Sequence, residues 1–84
     1  MATVVLTPAA AEQLERLPMA IHARVLALLG RLQKWPQVSG VKRLIGNLAG
    51  WYRLRTGDYR VRFRVEGERV TVAKIGHRRE FYEG

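Results

Sequence analysis

Three arginines alternate with apolar residues in the segment Tyr59–Val65, a spacing that suits phosphate binding. Side chains on a β-strand point alternately to its two faces, so Arg60, Arg62 and Arg64 are expected to share one open face while the apolar residues pack inward. Two residues of strand rise place neighbouring arginines about 6.6–6.8 Å apart, which lets them follow an extended nucleic-acid backbone. Guanidinium groups hold phosphate oxygens and stabilise charge in a transition state. The segment therefore predicts a phosphate-binding face.

A second group of reactive residue types lies near the C-terminus, directly after a predicted strand that ends at Ile75. Here His77 can transfer protons near neutral pH, Arg78 can hold a phosphate, and Tyr82 can stack on a base. These residue types are useful for RNA cleavage. The other histidine, His22, has no such neighbours and is interpreted as a surface residue.

The positive charge of the chain is concentrated in one stretch. Fifteen lysines and arginines against seven acids give a net charge of +8. Residues 42–64 carry +6 of this, because they hold seven bases and a single acid, Asp58. A solubilising surface would explain scattered charge, but charge this concentrated indicates a polyanion or an acidic protein as partner. The bases of the stretch are Lys42, Arg43, Arg53, Arg55, Arg60, Arg62 and Arg64.

Hydrophobic periodicity predicts an α+β domain in which an αα-hairpin packs on one face of a three-stranded antiparallel β-meander. Thr7 and Pro8 have the residue types of a helix N-cap and a first helical position. Pro18 separates the two helices, and the pair Trp35 and Pro36 ends the second. The predicted elements are a strand at 3–6, helices at 9–17 and 21–35, and strands at 51–56, 59–65 and 69–75.

Three further expectations concern how these elements pair. The first strand, residues 3–6, is too short to hold alone and is expected to join the sheet of the meander. The connector, residues 37–50, contains three glycines and is predicted to lack a regular element. In the last strand, residues 69–75, neither set of alternate residues is purely apolar, so the sequence does not show which set faces the core.

The composition excludes several classes of protein. The 84 residues leave room for one domain, which we place at 1–84. The chain has no cysteine, two widely separated histidines, and no phosphate-loop, serine-hydrolase or zinc-protease motif. It also lacks an apolar run of membrane-spanning length and the basic region of a secretory signal. We therefore expect a cytoplasmic protein without a metal, a cofactor or a membrane partner.

The two reactive segments together resemble the RelE/ParE toxin superfamily. The resemblance is carried by WYRLRTGDYRV at 51–61 and IGHRREFY at 75–82, with KRL at 42–44 as the basic connector before them. The opening LTPAA at 6–10 and the helical hairpin also fit, so the resemblance covers nearly the whole chain. It implies a RelE-like fold and a toxin of a type II toxin–antitoxin pair. RelE-like members enter the ribosomal A site and cleave mRNA there, with the 2′-hydroxyl of the RNA as nucleophile.

The resemblance also implies roles for the reactive residues. Arg60 would stabilise charge on the scissile phosphate, Arg78 would assist the leaving oxygen, and Tyr82 would orient the substrate base. The basic residues expected to bind RNA, from their place on the charged stretch, are Lys42, Arg43, Arg53, Arg62 and Arg64.

One position departs from the family pattern. Arg53 and Arg55 stand where some RelE members have lysines, one of which is proposed to help to activate the 2′-hydroxyl. Arginine is a poor proton acceptor, because its pKa lies above about 12. His77 is therefore the substitute candidate for the base, and Arg55 is kept among the candidate catalytic residues.

Two other functions stay open beside a metal-independent mRNA endoribonuclease. ParE-like members share the fold but poison DNA gyrase without an enzymatic step, and they typically do not retain the ribonuclease residues. An RNA-binding module without cleavage is the third possibility. As a toxin, the protein is expected to be held by a cognate antitoxin through a disordered, acidic and amphipathic segment, and to act on the ribosome and mRNA.

Overall fold

The computed structural model describes residues 1–81 as an α+β fold of two helices and a five-stranded sheet. The strands are β1 (Thr3–Leu6), β2 (Lys42–Arg43), β3 (Trp51–Thr56), β4 (Tyr59–Glu66) and β5 (Arg69–His77), and the helices are α1 (Pro8–Glu15) and α2 (Met19–Leu32). Two 3-10 turns cover Gly46–Leu48 and Arg78–Phe81. The predicted fold class is confirmed.

The five strands lie in the order β1-β5-β4-β3-β2. β1 runs parallel to β5, and the other neighbours are antiparallel, so the predicted pairing of the first strand is confirmed. The prediction that the connector lacks a regular element is wrong at Lys42–Arg43, which pairs with β3 as a fifth strand. Gly46 and Gly50 have φ angles of +66° and +92°, and this left-handed backbone lets the chain reverse between β2 and β3.

The helices begin and end close to their sequence signals. The hydroxyl of Thr7 accepts a hydrogen bond from the backbone N–H of Ala10 at 3.1 Å and caps α1 as predicted. α2 ends at Leu32, three residues before Trp35. The Trp35 ring instead packs edge-on against the rings of Tyr52 and Phe63, with centroids 5.1 and 5.5 Å away. Trp35 continues the apolar pattern of α2 because it packs in the core, although it lies beyond the end of the helix.

One apolar core joins the helices to a single face of the sheet. The buried residues are Ala2, Ala10, Val25, Leu28, Leu29, Leu32, Leu54, Val61, Phe63, Val70, Val72 and Ile75. α1 also covers the edge of β5 beyond the end of β1, where the side-chain carbonyl of Gln13 accepts a hydrogen bond from the backbone N–H of Ile75 at 2.7 Å. Within residues 1–81 neither α-helix therefore packs on the opposite face of the sheet.

A β-bulge in β5 explains the mixed pattern of the last strand. Phe63 lies opposite Val72 while the preceding residue, Arg62, lies opposite Lys74, so Ala73 has no partner on β4. The extra residue reverses the alternation of side chains along β5. Valines before the bulge and Ile75 after it therefore face the same core, although their sequence positions differ in parity.

Candidate nucleic-acid interface

A row of four cations crosses the helix-free face of the sheet. The strand register places Lys42 opposite Arg53, Arg53 opposite Arg62, and Arg62 opposite Lys74. These four residues, the cationic row, come from β2, β3, β4 and β5, which are neighbours about 4.7–4.9 Å apart. The sequence predicted a line of arginines along one strand. The register adds a second direction, across the strands, in which the positive charge is denser.

A second pair of arginines lies beside this row and lines a concave site with it. Arg55 lies directly opposite Arg60 on the neighbouring strand. A pocket of about 250 Å³, the arginine pocket, is lined by Gly40, Lys42, Arg53, Arg55 and Arg60. Among residues 1–81, no acidic side chain lines it. A concave site with four cationic side chains suits a phosphate or another compact anion.

Arg60 departs from the expected open position, because its side chain is buried with only 6% of the residue exposed. Its guanidinium folds back to the turn between β3 and β4, where Nη1 donates a hydrogen bond to the carbonyl of Gly57 at 2.9 Å. Gly57 has a φ of +58°, as the first central position of a tight hairpin turn requires. The turn thus fixes the direction of one guanidinium at the arginine pocket.

The other two arginines of β4 contact aromatic rings. The guanidinium carbon of Arg62 lies 5.1 Å from the ring centre of Phe81, and the same ring has the Lys74 ammonium at 4.7 Å. Arg64 is exposed, lies 5.5 Å from the ring centre of Trp51, and its Nε is 3.7 Å from a carboxylate oxygen of Glu66. Such cation–π contacts restrain long cationic side chains.

Arg62 also carries a buried donor. Its Nε is shielded from solvent and has no hydrogen-bond partner among residues 1–81. A buried donor without a partner is costly, and an anion above the cationic row would supply the acceptor.

Arg78 reaches the same turn as Arg60 from another part of the chain. The backbone N–H of Arg78 donates to the carbonyl of Asp58 at 2.7 Å. The Nε of its side chain lies 3.9 Å from a carboxylate oxygen of Asp58. The structure therefore brings Arg60 and Arg78 together at a turn of two residues.

Two predicted site residues lie on the other face of the sheet. His77 pairs with Tyr59, and their rings meet edge-to-face with centroids 5.4 Å apart. The Nδ1 of His77 accepts a hydrogen bond from the backbone N–H of Arg79 at 3.1 Å. Arg43 lies opposite Tyr52, whose ring packs in the core. The fold thus separates His77 and Arg43 from the arginine pocket, because strand residues of opposite parity point to opposite faces.

Sequence analysis missed the residues that hold the arginines. Neither Asp58 nor Phe81 was selected, although Asp58 is the single acid of the basic stretch and offered a signal.

The predicted base-stacking residue, Tyr82, lies outside the described residues. Within residues 1–81, no three histidine, aspartate or glutamate side chains are grouped as metal ligands would be. Neither helix in that range is long and apolar enough to cross a membrane.

Known proteins with similar sequences are toxins. The family model described as ParE toxin of type II toxin–antitoxin system, parDE, matches residues 4–82. The chain is 36% identical to Toxin RelG of Mycobacterium tuberculosis over 83 residues, which cover 95% of this chain and 94% of that protein. It is 25% identical to Toxin RelE3 of Methanocaldococcus jannaschii over 75 residues, covering 86% and 85%.

Solved structures support the same assignment. A chain of the RelBE2 toxin–antitoxin complex of Mycobacterium tuberculosis superposes with a TM-score of 0.79 at 28% identity, covering 90% of this chain and 96% of that chain. The isolated RelE toxin of E. coli has the same fold, with a TM-score of 0.78 at 17% identity and coverage of 92% and 84%. The chain therefore belongs to the ParE toxin family of type II toxin–antitoxin systems, within the RelE/ParE superfamily.

Proposed function

We propose that the protein is a cytoplasmic, metal-independent endoribonuclease that cleaves mRNA in the ribosomal A site and so inhibits translation. The observation that carries the proposal is the arginine pocket of about 250 Å³, where the described part of the chain contributes Lys42, Arg53, Arg55 and Arg60 and no acid. A site of this charge binds a phosphodiester and stabilises the extra negative charge of its transition state. The similarity to the toxins RelG and RelE3 supports a function of the RelE type for the pocket.

The chemistry that fits this pocket is internal transfer of the scissile phosphate. The 2′-oxygen attacks the phosphorus, a new P–O2′ bond forms, and the bond to the 5′-oxygen breaks. Arg60 stabilises the non-bridging oxygens, Arg55 stabilises negative charge on the 2′-oxygen, and Arg78 assists the 5′-oxygen as it leaves. The products are a 2′,3′-cyclic phosphate and a 5′-hydroxyl, with the proton of the 2′-hydroxyl ending on the leaving oxygen. We assign Tyr82 the role of a base-stacking residue in this scheme.

The cationic row would guide the RNA to this pocket. Phosphates on either side of the scissile bond can contact Arg53 and Arg62, and the Arg62 Nε would gain its acceptor there. Arg64 lies two residues further along β4 and would extend the contact. Arg43 and His77, on the other face, would take no part.

A cognate antitoxin is the proposed protein partner. Structures similar to this chain include toxin–antitoxin complexes from Mycobacterium tuberculosis and Pyrococcus horikoshii. The +6 charge of residues 42–64 suits an acidic segment of such a partner. Gyrase inhibition, the alternative function, is not favoured, because the similar proteins named above are toxins of the RelE type, although the matching family model is named after ParE.

The test is primer extension on a defined mRNA with and without programmed ribosomes. Ribosome-dependent cleavage by the wild type is expected to fall about 10²–10³-fold in Arg60→Ala, the loss typical of one transition-state donor. Lys34→Ala, which also removes one positive charge but at an exposed position after α2, is the control for lost charge and should cleave normally. A 2′-deoxy nucleotide at the scissile position should stop cleavage completely. Absence of cleavage by folded wild-type protein would reject the proposal, and a supercoiling assay with gyrase would follow.

A further inference from the structure

The turn between β3 and β4 contacts both arginines that the proposed reaction uses. The carbonyl of Gly57 accepts from Arg60, and the carbonyl of Asp58 accepts from the backbone of Arg78. The Asp58 carboxylate adds a side-chain contact to Arg78 at 3.9 Å. Two consecutive turn residues thereby contact two arginines that are 18 positions apart in the sequence.

Asp58 pairs with a base that is distant from it in the sequence. Seven bases surround it in the sequence between residues 42 and 64, yet its carboxylate pairs with Arg78, which lies outside that stretch. The contact is made through the Nε of Arg78. Within residues 1–81 the two terminal nitrogens of that guanidinium make no hydrogen bond, and they can hold a phosphate through two parallel hydrogen bonds.

We propose that Asp58 is a positioning residue that orients the guanidinium of Arg78 toward the leaving oxygen. The inference rests on the proposed nuclease function. An arginine side chain loses much rotamer freedom when it is ordered, and a carboxylate fixed by a tight turn provides that order before RNA binds. Asp58 touches neither the RNA nor the reacting atoms in this scheme, so it acts only through Arg78.

The kinetic test compares Asp58→Asn with Glu12→Gln. Each change removes one negative charge from an exposed ion pair with an arginine. The two carboxylates are about equally accessible, since the Asp58 side chain is 64% and the Glu12 side chain 61% exposed. Asn suits the same turn position as Asp. Asp58→Asn should lower kcat about fivefold, the rate equivalent of about 1 kcal/mol for an exposed ion pair, with KM unchanged or lower. Glu12→Gln should leave kcat unchanged.

A double substitution separates positioning from a general effect on folding. In an Arg78→Ala background, Asp58→Asn should change kcat by less than about twofold, because the residue it orients is already gone. Asp58→Glu, which keeps the charge, should recover part of the rate lost in Asp58→Asn. An equal fivefold loss in both backgrounds, or a KM increase without a kcat decrease, would overturn the proposal.

A measurement that does not depend on cleavage completes the test. The order parameter of the Arg78 Nε–H group, obtained by NMR relaxation, should fall in Asp58→Asn while that of Arg16, the partner of Glu12, stays constant. An unchanged order parameter at Arg78 would refute the positioning role whether or not the protein cleaves RNA. A lower order parameter in a protein that never cleaves would instead reject the nuclease function and keep the contact.

Discussion

The bulge in β5 can be removed by deleting one residue, and the fold is expected to survive. Ala73 is the residue without a partner on β4, between the pairs Val72–Phe63 and Lys74–Arg62. Deleting it makes the two pairs consecutive and leaves every core residue of β5 on its present side. The only side-chain hydrogen bond that involves Ala73 in residues 1–81 is a long one, 3.5 Å from the Thr7 hydroxyl to its carbonyl. We therefore expect the free energy of unfolding to change by less than about 1 kcal/mol.

Deletion of Thr71, two residues earlier in the same strand, is the matched control. It would turn Val70 from the core to the open face, because a shift of one residue exchanges the faces of a strand. Val70 is completely buried, and exposing a side chain of this kind costs about 1.5–3 kcal/mol. At about 4–8 °C per kcal/mol for a domain of this size, the melting temperature should fall by roughly 6–24 °C.

Calorimetry and cleavage distinguish the two deletions. The protein without Ala73 should melt within about 8 °C of the wild type, but its cleavage rate should fall at least about tenfold. Arg78 directly follows β5, and a displacement of about 1 Å at a catalytic group can cost about 10²-fold. If deletion of Ala73 destabilised the fold as much as deletion of Thr71, the bulge would be needed for folding and the reasoning would be wrong. Full cleavage without Ala73 would show that the bulge does not aim Arg78.

Two further predictions test the separation of the two faces of the sheet. In a filter-binding titration with single-stranded RNA, Arg53→Gln should reduce the slope of log K against log salt by about 0.7, the value for one phosphate contact. Lys34→Gln should leave that slope unchanged. His77→Gln should lower cleavage by less than about threefold in the primer-extension assay, because His77 packs against Tyr59 away from the arginine pocket; a loss of about 10² or more would show that His77 is the general base.

Local rules predicted most of the fold. Three features depend only on residues that are close in the sequence, so they could be predicted from it. They are the N-cap at Thr7, the break at Pro18 and the tight turn at Gly57. The strand β2 was missed, since its two residues are regular only through hydrogen bonds to β3. The strand β5 was predicted, but its buried face was left open for a related reason: whether Ala73 has a partner depends on its pairing with β4.

The candidate site shows the same limit at the level of single side chains. Alternation correctly placed Arg60, Arg62 and Arg64 on one face, but it treated them as equivalent. Their environments differ because each meets a different long-range neighbour, and only Arg60 is buried with a hydrogen bond to the turn. Burial of a guanidinium at a pocket to which residues 1–81 contribute no acid costs free energy, and hydrogen bonds to the carbonyls of Gly57 and Tyr59 offset this cost only in part. A phosphate in the arginine pocket would offset the remainder, so the buried arginine is better explained by binding than by stability.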